Sequence, residues 1–338
     1  MTSDVKTNRR REWLRWLPGV GISIVALFVV FRLARWEGLS TAFATIQWEY
    51  IWLSGLFTLA FLLVRAAAWR TLLENRPSYK DTFFVVNEGY LLNNLFPLRA
   101  GEIGRAVIMG QQTGWGPFHV LSTIVIERVF DMLMAAGMLL ATLPLVLGAV
   151  SWGLPVALVT LGVMGGGLVV MFLMARNRDF VDKLANRLGK RWPFVQARVV
   201  PQVEKLLDGL SALANPRQFL TALGLIMLCW LIAIFQYYVV MIPIAPGAPL
   251  WYGAFTVTVL ALGVAIPSAP AALGVFEASI VGAMAILGFD NATALAIGIS
   301  LHFLQFVITG IFGIVGLVIQ RRSLGSLFSE TRLHQEAN

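Results

Sequence analysis

The sequence predicts an all-α, polytopic integral membrane protein: about six full spans plus two re-entrant broken-helix hairpins, up to eight membrane segments, in an inverted repeat. Three observations predict it. The chain is 58% hydrophobic and 13% charged, with a mean hydropathy of +0.75, a balance foreign to a soluble chain of 338 residues. Windows of about 20 apolar residues follow one another, each long enough to cross ~30 Å of hydrocarbon. Two further apolar stretches, 93–105 and 266–277, are interrupted by proline and carry charge.

Span one is expected over residues 16–34, with Lys6, Arg9, Arg10 and Arg11 holding its start in the cytoplasm. It mimics a secretory signal, but no small-residue cleavage site follows, so it is expected to be retained. Span two, 51–69, returns inward, and Arg65, Arg70, Arg76 and Lys80 are placed on the cytoplasmic side. Residues 82–97 are too short and too polar (Asn87, Glu88, Asn93, Asn94) for a lipid-facing span. They read as the descending arm of a cytoplasmic hairpin, with 102–109 returning. Pro97 breaks the helix because it lacks an N–H, and Gly101 and Gly104 allow a tight turn. Non-helical backbone at this depth survives only inside protein or against a wet cavity.

Span three, 118–143, carries Glu127, Arg128 and Asp131. Glu127 lies ten residues in, about 15 Å deep at helical rise. An external turn over 144–153 leads to span four, 152–174. Residues 176–217 hold nine basic residues against Asp179, Asp182, Glu204 and Asp208, so they are expected to be cytoplasmic. There Val199, Val203, Leu206, Leu210 and Leu213 recur at helical spacing. A surface helix and a solvated linker both fit that pattern.

Span five, 219–242, exits through 243–249. Residues 251–266 enter from outside, break at 267–270 and return as 274–287. The last span, 292–319, ends inward at Arg321 and Arg322. The layout gives one transmembrane domain, 1–322, with inverted halves 51–143 and 219–320, and a cytoplasmic tail, 323–338. Paired interruptions in two halves point to a transporter's binding site.

Ionisable groups at membrane depth are functional candidates. The candidate substrate-binding residues are Arg99, Gly101, Glu102, Arg105, Glu127, Arg128, Asp131, Pro267, Ser268, Gly274, Glu277 and His302. Forked guanidinium donors suit phosphate or carboxylate, and free N–H groups at a helix restarting near Gly101 would add to them. Glu277 has no basic residue in its own half between Gln218 and Gln320, so Arg99, Arg105 or Arg128 is its expected partner. Substrate cavity and self-satisfied Arg–Glu lock both remain open for this charged set. Asp290 reads as a solvated turn residue, and Gly165, Gly166 and Gly167 as sites of close helix packing.

Several classes are excluded. The single cysteine, Cys229, rules out an intrachain disulfide and a multi-cysteine metal site. No P-loop, zinc-helix motif, nucleophile elbow or dinucleotide fingerprint occurs. No metal, cofactor or catalytic role is therefore expected, and the +8 charge is assigned to membrane boundaries rather than nucleic acid.

At its two interrupted stretches the chain resembles the flippase-like membrane domain of lysylphosphatidylglycerol synthases. The resembling residues are 94–105, reading Pro97-x-Arg99-x-Gly101-Glu102; then Glu127-Arg128-x-x-Asp131; then Pro267-Ser268-x-Pro270 with Gly274 and Glu277. Members read close to P-x-R-x-G-E, E-R-x-x-D and P-S-x-P-G-x-x-G-x-x-E. Ala271 stands where the family pattern has glycine, and, with 338 residues in the chain, no aminoacyl-transfer domain is expected after Arg322. The resemblance implies translocation of a lipid with an anionic or zwitterionic head group across a bacterial inner membrane, without lysyl transfer. Aminoacylated phosphatidylglycerol, cardiolipin, hopanoids and polyprenyl-linked sugars are all implied substrate classes. A non-transporting partner of a lipid-synthesis or glycosyltransfer enzyme, docked through 176–217, is the alternative. Oligomeric state is left undetermined.

Overall fold

The computed structural model describes residues 20–30, 32, 36–96, 99–148, 153–192, 194, 196–197, 200–201, 207, 211–266 and 268–322. Among the described residues all regular structure is helical and there is no strand. The helices are α1 (Val20–Val30), α2 (Trp36–Thr45), α3 (Trp48–Leu72), α4 (Tyr79–Leu95), α5 (Ala100–Thr113), α6 (Pro117–Val146), α7 (Gly153–Arg176), α8 (Arg178–Arg191), α9 (Pro216–Val239), α10 (Trp251–Val264), α11 (Val275–Ile286) and α12 (Asn291–Ile319). The basic N-terminus, Val199, Val203, Leu206, Leu210 and the tail lie outside the described residues.

Among the described residues five helices are long and apolar enough to cross a membrane: α3, α6, α7 over Leu158–Arg176, α9 and α12. Their outward faces carry Leu161, Phe303 and Val318, each about 70% exposed, which suits hydrocarbon and not water. The chain is a multi-pass membrane protein. The flanks of α1 fall on residues not described, so span one is seen only as its apolar middle.

The two interrupted stretches are real breaks. α5, α10 and α11 have 14, 14 and 12 residues, about 18–21 Å at helical rise, short of ~30 Å of hydrocarbon. Both sequence halves share an order of long helix, two short helices and long helix: α3–α4–α5–α6, then α9–α10–α11–α12.

Local chemistry starts and stops these helices. Pro117 occupies the first turn of α6 after Gly116 at φ +79. Ser78 Oγ accepts the Asp81 N–H at the start of α4, and Asn215 Oδ1 accepts the Arg217 N–H at the start of α9. Asp290, expected to be merely solvated, caps α12 by accepting the Thr293 N–H at 3.0 Å. Of the three consecutive glycines, Gly167 packs on Leu133 while Gly165 and Gly166 meet nothing within 4 Å.

The described helices form two compact units. One draws on Met1–Leu59, Tyr90–Gly101 and Ala233–Ile311; the other on Ala60–Gly89, Glu102–Ile232 and Phe312–Asn338. Each takes residues from both sequence halves, because α3, α4, α5, α9 and α12 contribute to both units. The first unit has a core of Leu39, Val240, Met241, Phe255, Ile280, Met284 and Leu295. The second is built on Leu62, Trp69, Leu72, Val86, Ile108, Ile126 and Phe130.

Candidate functional site

The second unit buries a compact set of charges. Glu127, one turn before Asp131 on α6, is fully buried. Its Oε1 accepts from Arg65 Nη2 at 2.7 Å, Arg128 Nη2 at 2.8 Å and Arg105 Nη1 at 3.3 Å. Its Oε2 accepts from Arg105 Nη2 at 3.0 Å. Arg65 also forks onto Asp131, with contacts of 3.0 and 2.5 Å. Arg128 reaches Asp131 at 3.4 Å and Glu102 at 3.5 Å. Three arginines thus balance three carboxylates, and bidentate geometry fixes their mutual orientation.

Aromatic groups hold this set in place. The Arg105 guanidinium lies 4.0 Å from the Trp69 ring centre, a cation–π contact strengthened by burial. Trp69 Nε1 donates to Thr123 Oγ1 at 3.1 Å, and Trp230 Nε1 to Asp131 at 3.3 Å. Burial is graded across the set. Side chains of Arg65, Arg105 and Glu127 are at most 4% exposed, whereas Arg128, Glu102 and Asp131 are 29, 23 and 19% exposed. A locked interior therefore ends in a partly exposed rim formed by the side chains of Arg128, Glu102 and Asp131.

The first unit holds the breaks themselves. Glu277 Oε1 lies 2.6 Å from His302 Nδ1, and His302 stacks on Phe276 with ring centres 4.2 Å apart. Glu277 Oε2 reaches back to accept the Gly274 N–H at 2.7 Å, satisfying a donor at the start of α11. Gly274 has φ +83 and packs on Ser23 of α1, whose hydroxyl also accepts the Ala269 N–H at 3.0 Å. At the other break Arg99 has φ +55 and donates to Val264 O at 2.8 Å, capping the C-terminus of α10.

Several expectations are corrected. The partner of Glu277 is His302, in its own half of the chain, not an arginine of the first half. At the first break Arg99 is left-handed, whereas Gly101 and Gly104 lie inside α5. The Gly101 N–H is not free for an anion, because it donates to Asn93 Oδ1 at 2.8 Å. Arg99, Gly101, Ser268, Gly274, Glu277 and His302 belong to the first unit; Glu102, Arg105, Glu127, Arg128 and Asp131 belong to the second. Pro267 and Pro97 lie outside the described residues.

Arg65 and Ser23 were not singled out by sequence. Arg65, assigned to the cytoplasmic boundary, is 2% exposed. A signal existed, since Arg65 and Trp69 are four residues apart in an apolar run and share a helix face. Ser23 left none, because nothing local marks one serine as a docking point. Ala271, standing for the family glycine, has φ +56 and ψ 11. An L-residue there is strained by about 1–2 kcal/mol, so Ala271→Gly should raise stability by about 1 kcal/mol. Thermal unfolding in detergent checks this, with no gain counting against the left-handed conformation.

Comparison with known proteins supports a membrane protein. A family model described as "Lysylphosphatidylglycerol synthase TM region" matches residues 16–313. The chain is also similar to the UPF0104 membrane protein MJ1078 of Methanocaldococcus jannaschii. That match is 21% identical over 242 residues and covers 69% of this chain and 95% of the relative. No solved structure gives a significant match.

Proposed function

Since the chain belongs to the lysylphosphatidylglycerol synthase TM-region family, we propose that it moves a lipid across its membrane. In this proposal it acts as a transporter and not as an enzyme, and the lipid head group docks on the rim of the charged set. The membrane is taken to be a bacterial inner membrane with both termini in the cytoplasm. The observation that carries the reading is the graded burial of the six charges. A pure structural lock has no need of an accessible edge, yet Arg128 keeps 29% of its side chain open.

The rim chemistry favours a head group with both signs of charge. A lipid phosphate would take the Nη hydrogens of Arg128 that do not point at Glu127 or Asp131. A cationic amine on the same head group would face Glu102 and Asp131. Arg65 and Arg105 do not bind lipid here; they fix Glu127 and Asp131, so the rim keeps its shape while empty. Head groups lacking an amine would rely on Arg128 alone and bind more weakly.

Lipid binding tests this seat. Native mass spectrometry on wild type should retain a zwitterionic or aminoacylated phospholipid in preference to neutral diacylglycerol. Arg128→Ala should lower that retention by about 10–100-fold, the worth of hydrogen bonds to a charged group. Retention equal to wild type, in a protein that elutes and melts normally, would remove Arg128 from the seat.

A further inference from the structure

The helix α8 carries an unusual exposed face. Lys183, Arg187 and Lys190 follow one another at spacings of four and three and are all exposed, so they share one side of the helix. Among them sit Phe180 and Leu184, 67 and 46% exposed. Val181 and Ala185, on the other side, are half-buried. Just beyond the helix, Trp192 and Phe194 are 61 and 63% exposed.

Position makes this face informative. The 24 residues of α7 reach about 36 Å at helical rise, enough to exhaust the hydrocarbon core. Asn177 then interrupts the helix, its side chain donating to Leu173 O at 3.0 Å. So α8 begins at head-group level. Standing in water, the exposed rings of Phe180, Trp192 and Phe194 would forfeit the benefit of apolar burial. Lying in the interface, the rings enter the acyl boundary while the lysines and arginine reach the phosphates.

We propose that α8, with Trp192 and Phe194, is an interfacial anchor that lies in the head-group layer and binds anionic phospholipid. Charge chooses this occupant. Arg176, Arg178, Lys183, Arg187, Lys190 and Arg191 outnumber Asp179 and Asp182 over 176–191, and Asp182 pairs with Arg178 at 3.9 Å. A bilayer bearing anionic lipid attracts juxtamembrane cations of this kind. The anchor does not depend on the charged set around Glu127, so it stands or falls separately from lipid transport.

The test uses the full chain in lipid nanodiscs, with Cys229→Ala removing the only cysteine. Spin labels at Phe180→Cys and Leu184→Cys report collisions with oxygen, which partitions into lipid, and with a nickel chelate, which stays in water. In discs containing phosphatidylglycerol both labels should favour oxygen; in pure phosphatidylcholine that preference should shrink. Each of Lys183→Gln, Arg187→Gln and Lys190→Gln should lower the inserted-to-free ratio about five-fold. Raising salt to 1 M, which cuts the screening length to about 3 Å, should act likewise on the charge-intact labelled protein and so needs no further variant. Free collision of nickel with both labels in phosphatidylglycerol discs would overturn the anchor. Shielding from both reagents in every disc would also overturn it, by showing that protein covers the face. Insertion that ignores lipid charge, salt and all three neutralisations would overturn the selection for anionic lipid.

Discussion

Replacing Glu127 by alanine is expected to remove about 3–5 kcal/mol of stability, the cost of breaking a buried ion pair from one side. Glu127 is the shared acceptor of Arg65, Arg105 and Arg128. Without it, two guanidiniums that are at most 4% exposed keep their charge, because arginine cannot shed a proton. Asp131 can hold Arg65 through the existing fork, but among the described residues Arg105 would retain only the Trp69 face. Glu127→Gln should cost less, since its carbonyl oxygen still accepts one of the hydrogen bonds. Thermal unfolding of the detergent-purified variants gives the order wild type, then Gln, then Ala. A Glu127→Ala protein as stable as wild type would mean that the arginines are solvated and the set is no lock.

The second large effect is expected at Gly274. Its φ of +83 is a conformation that L side chains rarely adopt, and an added Cβ would lie 2.5 Å from Ser23 O and 2.8 Å from Leu27 Cγ. Backbone strain of about 1–2 kcal/mol and overpacking of about 1–3 kcal/mol both oppose Gly274→Ala. The backbone oxygen of Ser23 cannot swing aside, so α1 itself must move. Ser23→Ala, which removes only the hydroxyl that accepts the Ala269 N–H, should cost about 1 kcal/mol. Comparing the two variants by thermal unfolding separates loss of one hydrogen bond from loss of the α1 contact. Equal, small effects would show that α1 is not closely seated on the second break.

Much of the fold could be read from the sequence because lipid imposes simple rules. Apolar length locates the long helices, and proline with charge locates the two breaks. The E-R-x-x-D pattern puts Glu127, Arg128 and Asp131 near one another, since residues three and four apart share a helix face. The partners across helices were less legible. Arg65 follows an apolar run and precedes other cations, so the positive-inside bias assigned it to a boundary. Glu277 and His302 each stand out as ionisable groups in apolar runs, but no local signal says that residues 25 positions apart will meet. The Asp290 cap is legible: an aspartate three residues before a threonine, ahead of a long apolar run, is a helix start.

The division of the charges between two units also escaped sequence reasoning. Arg99 and Glu102 are neighbours in the chain, yet Arg99 caps α10 while Glu102 pairs with Arg128. The positive φ at Arg99 sends the backbone into α5, so side chains three residues apart serve different neighbours. Periodicity cannot anticipate this, because it assumes one continuous helix.

The most direct measurement is lipid movement in proteoliposomes, using head-group-labelled phospholipid probes and a quencher that cannot cross the bilayer. Wild type should move a zwitterionic or anionic probe faster than protein-free vesicles. Arg128→Ala, still folded by its melting curve, should slow that movement by about 10–100-fold, whereas Ala271→Gly should not. Wild-type rates no different from empty vesicles for every probe, or an Arg128→Ala protein as fast as wild type, would contradict transport through a head-group seat at the rim.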